Sequence, residues 1–141
     1  MGETNQQSLA DLTKAVIGVL DNWKLQTSEM QQLLGLPDNI RARAFQKYRE
    51  GREQLPNDEV ILRKAGYLMR IEDALRTTYP RNPFMGGRWI RQKHRRLGGQ
   101  TPLSMILESE NQEASLIAVL SELDCTFAWD MTGSKHYGCN S

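Results

Sequence analysis

The sequence predicts an all-α protein, and three observations support this fold class. Apolar residues recur three and four positions apart along most of the chain, which is the spacing that places them on one face of an α-helix. No segment shows the alternation of apolar and polar residues that is typical of a half-buried strand. No β-hairpin turn sequence lies between two such segments. We therefore expect helices and no sheet.

The first expected helix follows a polar N-terminal stretch. Residues 1–8 lack an apolar periodicity and are expected to form a disordered tail. The apolar face of the helix then consists of Leu9, Leu12, Val16, Val19, Leu20 and Trp23. Ser8 is expected to cap this helix, because its hydroxyl can accept a hydrogen bond from an unpaired backbone N–H.

Two shorter helices are expected next, each closed by a glycine. The second begins at Thr27 or Ser28 and ends at Gly35, because glycine readily adopts the left-handed conformation that closes a helix. The third opens at residues 37–38, since proline is tolerated in a first turn, and ends at Gly51. Its inner stripe is expected to consist of Ile40, Ala44 and Tyr48.

A longer helix is expected after the break at Leu55. Asn57 or Asp58 caps it, and it continues to about Tyr79, where Pro80 stops it. Its apolar residues have near-heptad spacing and are Ile61, Ala65, Leu68, Ile71, Leu75 and Tyr79. The part of this stripe from Leu68 to Leu75 is expected to help form either the domain core or the seam of a homodimer.

Shorter elements complete the C-terminal region. Residues 81–87 contain Pro83 and two glycines and are expected to form a loop, with residues 89–94 a single helical turn or irregular. Residues 101–107 begin with Thr-Pro and predict a short helix. A last helix is expected over residues 111–123, with a buried face of Leu116, Ile117, Leu120 and Leu123.

These elements indicate two domains. Residues 9–54 are interpreted as a helix-turn-helix bundle and residues 57–124 as a small helical domain, followed by a tail over residues 125–141.

No run of 18 apolar residues occurs and no signal peptide is visible, so a cytoplasmic protein without a membrane span is expected. Two cysteines and two histidines match no metal or nucleophile motif; we expect no enzyme, no metal and no cofactor.

The net charge of +1 conceals an asymmetry. Residues 81–96 contain six Lys or Arg and no acid, whereas residues 97–134 contain six acids and no Lys or Arg. Solvated helix faces are the commoner cause of such runs, but different partners for the two regions are the alternative.

The helix-turn-helix candidate spans residues 26–49. An outward basic stripe on its second helix would suit the DNA major groove, where Arg and Gln contact base edges. The candidate DNA-binding residues are Arg41, Arg43, Gln46, Lys47, Arg49 and Arg52. An ordinary helical hairpin with a solvated basic face explains the pattern equally well.

The segment from Trp89 to Leu103 has the most specific pattern. Trp89 beside Arg-rich residues could stack on nucleic acid, but a large aromatic near a glycine-rich turn more often packs in the core. Gly98 and Gly99 before a helix could cradle an anion, although a structural turn is the preferred interpretation. The predicted scaffold residues are Trp89, Gly98, Gly99, Thr101, Pro102 and Leu103.

The order of these motifs resembles the toxin-binding domain of the Xre/MbcA/ParS antitoxins. The matching residues are Leu68-Met69-Arg70-Ile71, Leu75-Arg76, Tyr79-Pro80, Trp89-Ile90, Leu97 to Leu103, Ile117 and Leu120. The N-terminal half is similar to the helix-turn-helix of the Xre branch through Trp23, Leu25, Leu33 to Leu36 and Arg49 to Gly51. From Leu36 to Gly51 this chain is about one helical turn longer than that pattern.

The resemblance implies a function and several partners. Antitoxins of this family are cytoplasmic, usually dimerise, and block the active site of a RES-domain toxin that consumes NAD. Xre-type members also bind the promoter of their own operon. The resemblance therefore implies a cognate RES-domain toxin, operator DNA and a second copy of the chain as partners.

We expect the toxin contact in the acidic C-terminal region, because a pocket that holds the phosphates of NAD is cationic. The candidate toxin-binding residues are Glu113, Glu122, Asp124, Phe127, Trp129 and Asp130. Two alternatives remain at this stage: a stand-alone helix-turn-helix transcription regulator, and an antitoxin that no longer binds DNA.

Overall fold

The computed structural model describes the backbone of residues 2–132 and the side chains of residues 9–123. Over this range the chain forms seven α-helices: α1 Gly2–Asn22, α2 Thr27–Leu34, α3 Ala42–Glu50, α4 Glu59–Thr78, α5 Met85–Ile90, α6 Pro102–Leu107 and α7 Gln112–Thr132. A 3-10 turn covers Arg95–Leu97, and no strand occurs among these residues. The predicted all-α class is confirmed.

The chain divides into two compact units, Met1–Met69 and Arg70–Ser141. The division falls inside α4, so the first part of this helix belongs with the N-terminal helices. The break in composition near Leu55 therefore does not coincide with the division between the units. The domain bounds inferred from the sequence, 9–54 and 57–124, stay a prediction.

The core of the N-terminal unit is formed by the first three helices, the first part of α4 and the segments that connect them. Its large, fully buried side chains are Ile17, Leu20, Trp23, Met30, Leu33, Leu34, Phe45, Leu55 and Leu68. Helix α1 packs against α3. The buried Thr13 side chain on α1 donates to the carbonyl of Leu9 at 2.7 Å and accepts from the Leu55 N–H at 3.0 Å. This bond ties the segment before α4 to α1.

Side-chain and glycine caps set the ends of the described helices. Gly35 and Gly51 follow α2 and α3 in the left-handed conformation, with φ of 76° and 75°, as predicted. The Asp58 carboxylate accepts from the N–H groups of Val60 and Ile61 at 2.9 and 3.2 Å, which caps α4. For α2 the capping residue is Gln26, not Thr27 or Ser28, and the Glu29 carboxylate accepts from the Gln26 N–H at 2.8 Å.

Helix α3 begins later than predicted. Residues 37–40 form a turn closed by a bond from the Ile40 N–H to the Pro37 carbonyl at 3.1 Å, and the helix starts only at Ala42. The Gln31 side chain donates to the Leu36 carbonyl at 2.6 Å and to the Asp38 carboxylate at 3.3 Å. These bonds stabilise a non-helical path, which overrides the helix-opening signal of the Pro-Asp pair.

The inner face of α3 consists of Phe45 and Tyr48; the prediction was right for Tyr48 and wrong for Ile40 and Ala44. Both rings are buried and make an edge-to-face contact with centroids 5.7 Å apart. Ile40 and Ala44 are only half-buried. Burial, with a smaller contribution from Glu53, raises the pKa of the Tyr48 phenol.

The apolar stripe of α4 is buried within the chain. Ile61, Ala65, Leu68, Ile71 and Leu75 are all at most 6% exposed. Of the two roles predicted for this stripe, the intrachain core is the one that the structure shows. Glu72 on the same helix is also buried, and its carboxylate lies 3.6 Å from the Arg76 Nε.

Three further helix boundaries differ from the sequence expectation. Helix α1 begins at Gly2, so residues 2–8 are helical and the expected tail and Ser8 cap are corrected. Helix α7 continues to Thr132, well past Leu123, because no Gly or Pro interrupts residues 112–132. Helix α5 begins at Met85 and includes two glycines that were expected in a loop. Its buried residues Gly86, Trp89 and Ile90 show that packing outweighs the low helix propensity of glycine here.

Candidate binding surfaces

The outward face of α3 presents polar side chains suited to contact with nucleic acid. Arg41, Arg43 and Gln46 are exposed, and Lys47 is half-buried. Arginine can donate two hydrogen bonds to a guanine edge, and glutamine can pair in the same way with adenine. The side-chain oxygen of Gln46 accepts from the Arg49 Nη1 at 3.3 Å, so Gln46 can offer its full amide edge to a base only when this hydrogen bond opens.

The other two predicted DNA-binding residues are engaged within the chain. The Arg49 guanidinium makes a bidentate contact with Asp21 of α1, from Nε at 2.7 Å and Nη2 at 2.8 Å. The hydrogen bond to Asp21 raises the pKa of Arg49, and partial burial opposes this effect. Arg52 pairs with Glu50 at 3.1 Å. Arg49 therefore fastens α3 to α1 and is not available as a base-reading group in this conformation.

The segment between α5 and α6, residues 91–101, is closed by hydrogen bonds, and we call it the corner. Trp89 lies at its base. Its indole is 5% exposed and stacks on the His94 ring, with centroids 4.6 Å apart. The His94 ring nitrogen Nε2 lies 3.0 Å from the Trp89 carbonyl oxygen. The indole is therefore a core residue of the C-terminal unit, and it is not accessible for stacking on a nucleobase.

The corner is closed by the paired glycines. Gly98 and Gly99 both adopt the left-handed conformation, with φ of 71° and 78°. Their N–H groups donate to the carbonyls of Arg95 and His94 at 3.1 and 3.0 Å, and the His94 N–H donates to the Gln100 carbonyl at 3.1 Å. Because both glycine N–H groups are used inside the turn, the pair does not form an anion cradle.

Replacing Gly99 with valine is expected to destabilise the protein by about 1–3 kcal/mol. A Cβ at Gly99 would meet no atom within 4 Å, so the cost comes from the backbone conformation and not from a clash. Thermal unfolding followed by circular dichroism measures the effect. Gly18→Ala is the matched control, because it adds a Cβ in open space within helix α1 and should raise stability slightly. An unchanged melting temperature for Gly99→Val would refute the claim.

Thr101 and Pro102 start α6 as the sequence predicts. The Thr101 hydroxyl accepts from the Ser104 N–H at 3.0 Å, and Pro102 occupies the first turn. Pro102 and Leu103 are buried, which anchors the start of α6. Helix α6 packs against both α5 and α7. The corner thereby sets the path from α5 into the last two helices.

Thr101→Ala is expected to lower the free energy of unfolding by about 1 kcal/mol, because one N-terminal N–H of α6 loses its acceptor. Urea denaturation would report the change as a lower midpoint. Thr77→Ala provides the control: Thr77 is exposed on α4, its hydroxyl donates to the Asp73 carbonyl, and alanine favours a helix there. Equal losses for the two variants would contradict the assigned cap.

The predicted toxin-binding residues are only partly described. Glu113 is half-buried, and the Glu122 carboxylate is 16% exposed and lies 3.6 Å from the Arg96 guanidinium. Glu122 is therefore partly neutralised within the chain, unlike the open acidic contact that was expected. Asp124, Phe127, Trp129 and Asp130 belong to the backbone of α7, but their side chains lie outside the described residues, as do Cys125 and Cys139.

A shallow groove between α4 and α7 was not anticipated from the sequence. Its volume is about 290 Å³, and its lining consists of Arg70, Asp73, Ala74, Thr77 and Leu120. Ile117, one helical turn before Leu120, is 45% exposed, although the sequence placed it in the core. The spacing of residues 70, 73, 74 and 77 places them on one face of α4, and this was the only sequence signal for the groove. Because these residues mix charged, polar and apolar side chains, the face resembles an ordinary protein surface.

Within the described part of the chain, no three His, Cys, Asp or Glu side chains cluster in a way that could hold a metal ion. None of the helices in this part is long and apolar enough to span a membrane. No protein-family model, curated protein or solved structure matches the chain.

Proposed function

We propose that this chain is an antitoxin that neutralises a RES-domain toxin by binding it and covering its active site. The observation that carries this proposal is the order Trp89, Gly98-Gly99 and Thr101-Pro102-Leu103, which resembles the Xre/MbcA/ParS toxin-binding domain. In this chain the same residues form one hydrogen-bonded corner, so the motif has a structural role.

The proposed mechanism is stoichiometric inhibition by an acidic surface. An NAD-consuming toxin must present cationic groups to the phosphates of its substrate, and an acidic partner surface is complementary to them. Glu108 and Glu110, between α6 and α7, are exposed in this structure. Together with Asp124 and Asp130 of α7 they provide the acidic groups, whereas Glu122 contributes less because Arg96 faces it.

Co-expression with a RES-domain toxin encoded beside this gene tests the proposal. Growth rescue and co-purification of the two chains are the expected results. Charge reversal at Glu108, Glu110, Asp124 and Asp130 should weaken the complex and change its salt dependence. Reversal at Glu53 and Glu59 of the N-terminal unit serves as the control. An active toxin that this chain neither rescues nor binds would contradict the proposal.

DNA binding by α3 is the second part of the proposal and is supported by its exposed basic face. The chain would then repress its own operon as a cytoplasmic homodimer. Arg43→Ala, Gln46→Ala and Lys47→Ala together should abolish the promoter-specific gel shift, measured with an excess of unrelated duplex as competitor. A stand-alone regulator would shift the promoter but have no toxin neighbour. An antitoxin without DNA binding would rescue growth and give no shift with or without the substitutions.

A further inference from the structure

A strongly basic surface on the C-terminal unit is not accounted for by the proposed toxin contact or by α3. No acid occurs between Asp73 and Glu108. Within this interval Arg88, Lys93 and Arg95 are exposed side chains around the corner, and none has an ion-pair partner among the described residues. We name these three residues the corner cations.

Two neighbouring cations differ from the corner cations because their side chains make contacts within the chain. Arg91 donates to the Gly87 carbonyl at 2.9 Å, and Arg96 faces Glu122 at 3.6 Å. For the corner cations, the structure shows no comparable contact with any of the residues whose side chains it describes. Their backbone is nevertheless held in place by the bonds of His94 and Gly99 and by the buried Trp89. The backbone of this segment therefore does not have to be ordered when the cations bind an array of anions.

The surface around the corner cations indicates the chemistry of the partner. Between Arg88 and Gln100 every hydrophobic side chain, namely Trp89, Ile90 and Leu97, is buried. The exposed remainder consists of Arg, Lys and Gln side chains and two glycines. Protein interfaces have an apolar centre with aromatic anchors, whereas nucleic-acid interfaces are more polar and much more positively charged. Residues 88–100 therefore expose no apolar side chain, and the exposed aromatic ring that lies nearest to them in the sequence is Phe84, which precedes α5.

We propose that the corner cations bind the phosphate backbone of duplex DNA, as a sequence-independent contact separate from base reading by α3. Guanidinium groups bind phosphate oxygens through paired hydrogen bonds, and the exposed amides of Gln92 and Gln100 are further donors. The contact adds affinity without specificity, because a phosphate carries no base information. It requires neither the toxin nor promoter recognition by α3.

The test measures the affinity of the full chain for two duplexes by fluorescence anisotropy across a salt series from low to moderate ionic strength. One duplex is the upstream promoter and the other an unrelated sequence of equal length. The variant carries Arg88→Gln, Lys93→Gln and Arg95→Gln. The control carries Lys14→Gln, Arg63→Gln and Arg70→Gln, which removes the same charge from exposed positions elsewhere.

The corner variant is expected to weaken binding to both duplexes by a similar factor and to reduce the slope of log K against log salt by about one unit per lost contact. The control variant should change the slope much less. Arg43→Ala with Gln46→Ala should instead remove the preference for the promoter while leaving the unrelated duplex bound. A failure of promoter recognition is thereby separated from a failure of the corner contact.

Three results would overturn the inference. The first is a corner variant whose salt slope equals that of the unmodified chain or of the control variant. The second is a chain that binds neither duplex even at low salt. The third is a corner variant that binds DNA normally but no longer co-purifies with the toxin, which would assign the cations to a protein partner. Circular dichroism confirms that each variant remains folded.

Discussion

Replacing Trp89 with alanine is expected to lower the free energy of unfolding by about 3–5 kcal/mol, the range for removing a large buried aromatic side chain. The indole is 5% exposed, and the His94 ring stacks on it at 4.6 Å. Its loss leaves a cavity below the corner and removes the support of a loop that connects α5 to α6. Urea unfolding followed by circular dichroism measures the change.

The comparison for Trp89→Ala is Phe84→Ala, which removes an aromatic ring that precedes α5 and is 62% exposed. This control is expected to cost less than about 0.5 kcal/mol. Trp89→Phe should fall between the two, because it keeps an apolar ring but fills less volume. If Trp89→Ala were as mild as Phe84→Ala, the indole would not be the anchor of the corner.

Phe45→Ala is expected to have an effect of similar size in the N-terminal unit, about 3–5 kcal/mol. Phe45 has no exposed surface, and its ring contacts the edge of Tyr48 on the same helix. Without this side chain α3 loses a fully buried aromatic contact with the core, and the polar face of the helix is held less firmly in position. Urea unfolding and the promoter gel shift are the two measurements.

Arg43→Ala is the matched variant for Phe45→Ala, because it changes an exposed residue of the same helix. It should leave the unfolding midpoint nearly unchanged and impair only the promoter shift. Co-purification with the toxin provides a third readout, since that contact is proposed for the other unit. A Phe45→Ala protein of normal stability would show that α3 is held mainly by the Arg49–Asp21 contact and not by its apolar face.

The sequence predicted those parts of the fold that depend on local chemistry. The left-handed glycines at positions 35 and 51, the Asp58 cap and the Thr101-Pro102 start of α6 each follow from one residue and its immediate neighbours. The buried stripe of α4 was predictable because its apolar spacing extends over several turns. These signals require no knowledge of what lies elsewhere in the chain.

The errors arose where distant contacts decide the outcome. The Gln31 side chain stabilises the turn before α3, and no local pattern indicates that a residue of α2 would do so. Burial of Trp89 and Ile90 makes a helix from a segment with two glycines. At the candidate sites, Arg49 and Glu122 were predicted to be accessible to a ligand, but each forms an ion pair within the chain. Their partners, Asp21 and Arg96, lie far away in the sequence, so no local pattern indicates these pairs.

The contact between His94 and Trp89 has a consequence for NMR spectra. A carbonyl oxygen can only accept a hydrogen bond, so the His94 Nε2, 3.0 Å from the Trp89 oxygen, must carry a hydrogen. The neutral imidazole is thereby held as the Nε2–H tautomer, although free histidine exchanges between two. In a long-range proton–nitrogen spectrum, Nε2 should resonate in the protonated range and Nδ1 in the unprotonated range, which gives the closed corner a signature of its own.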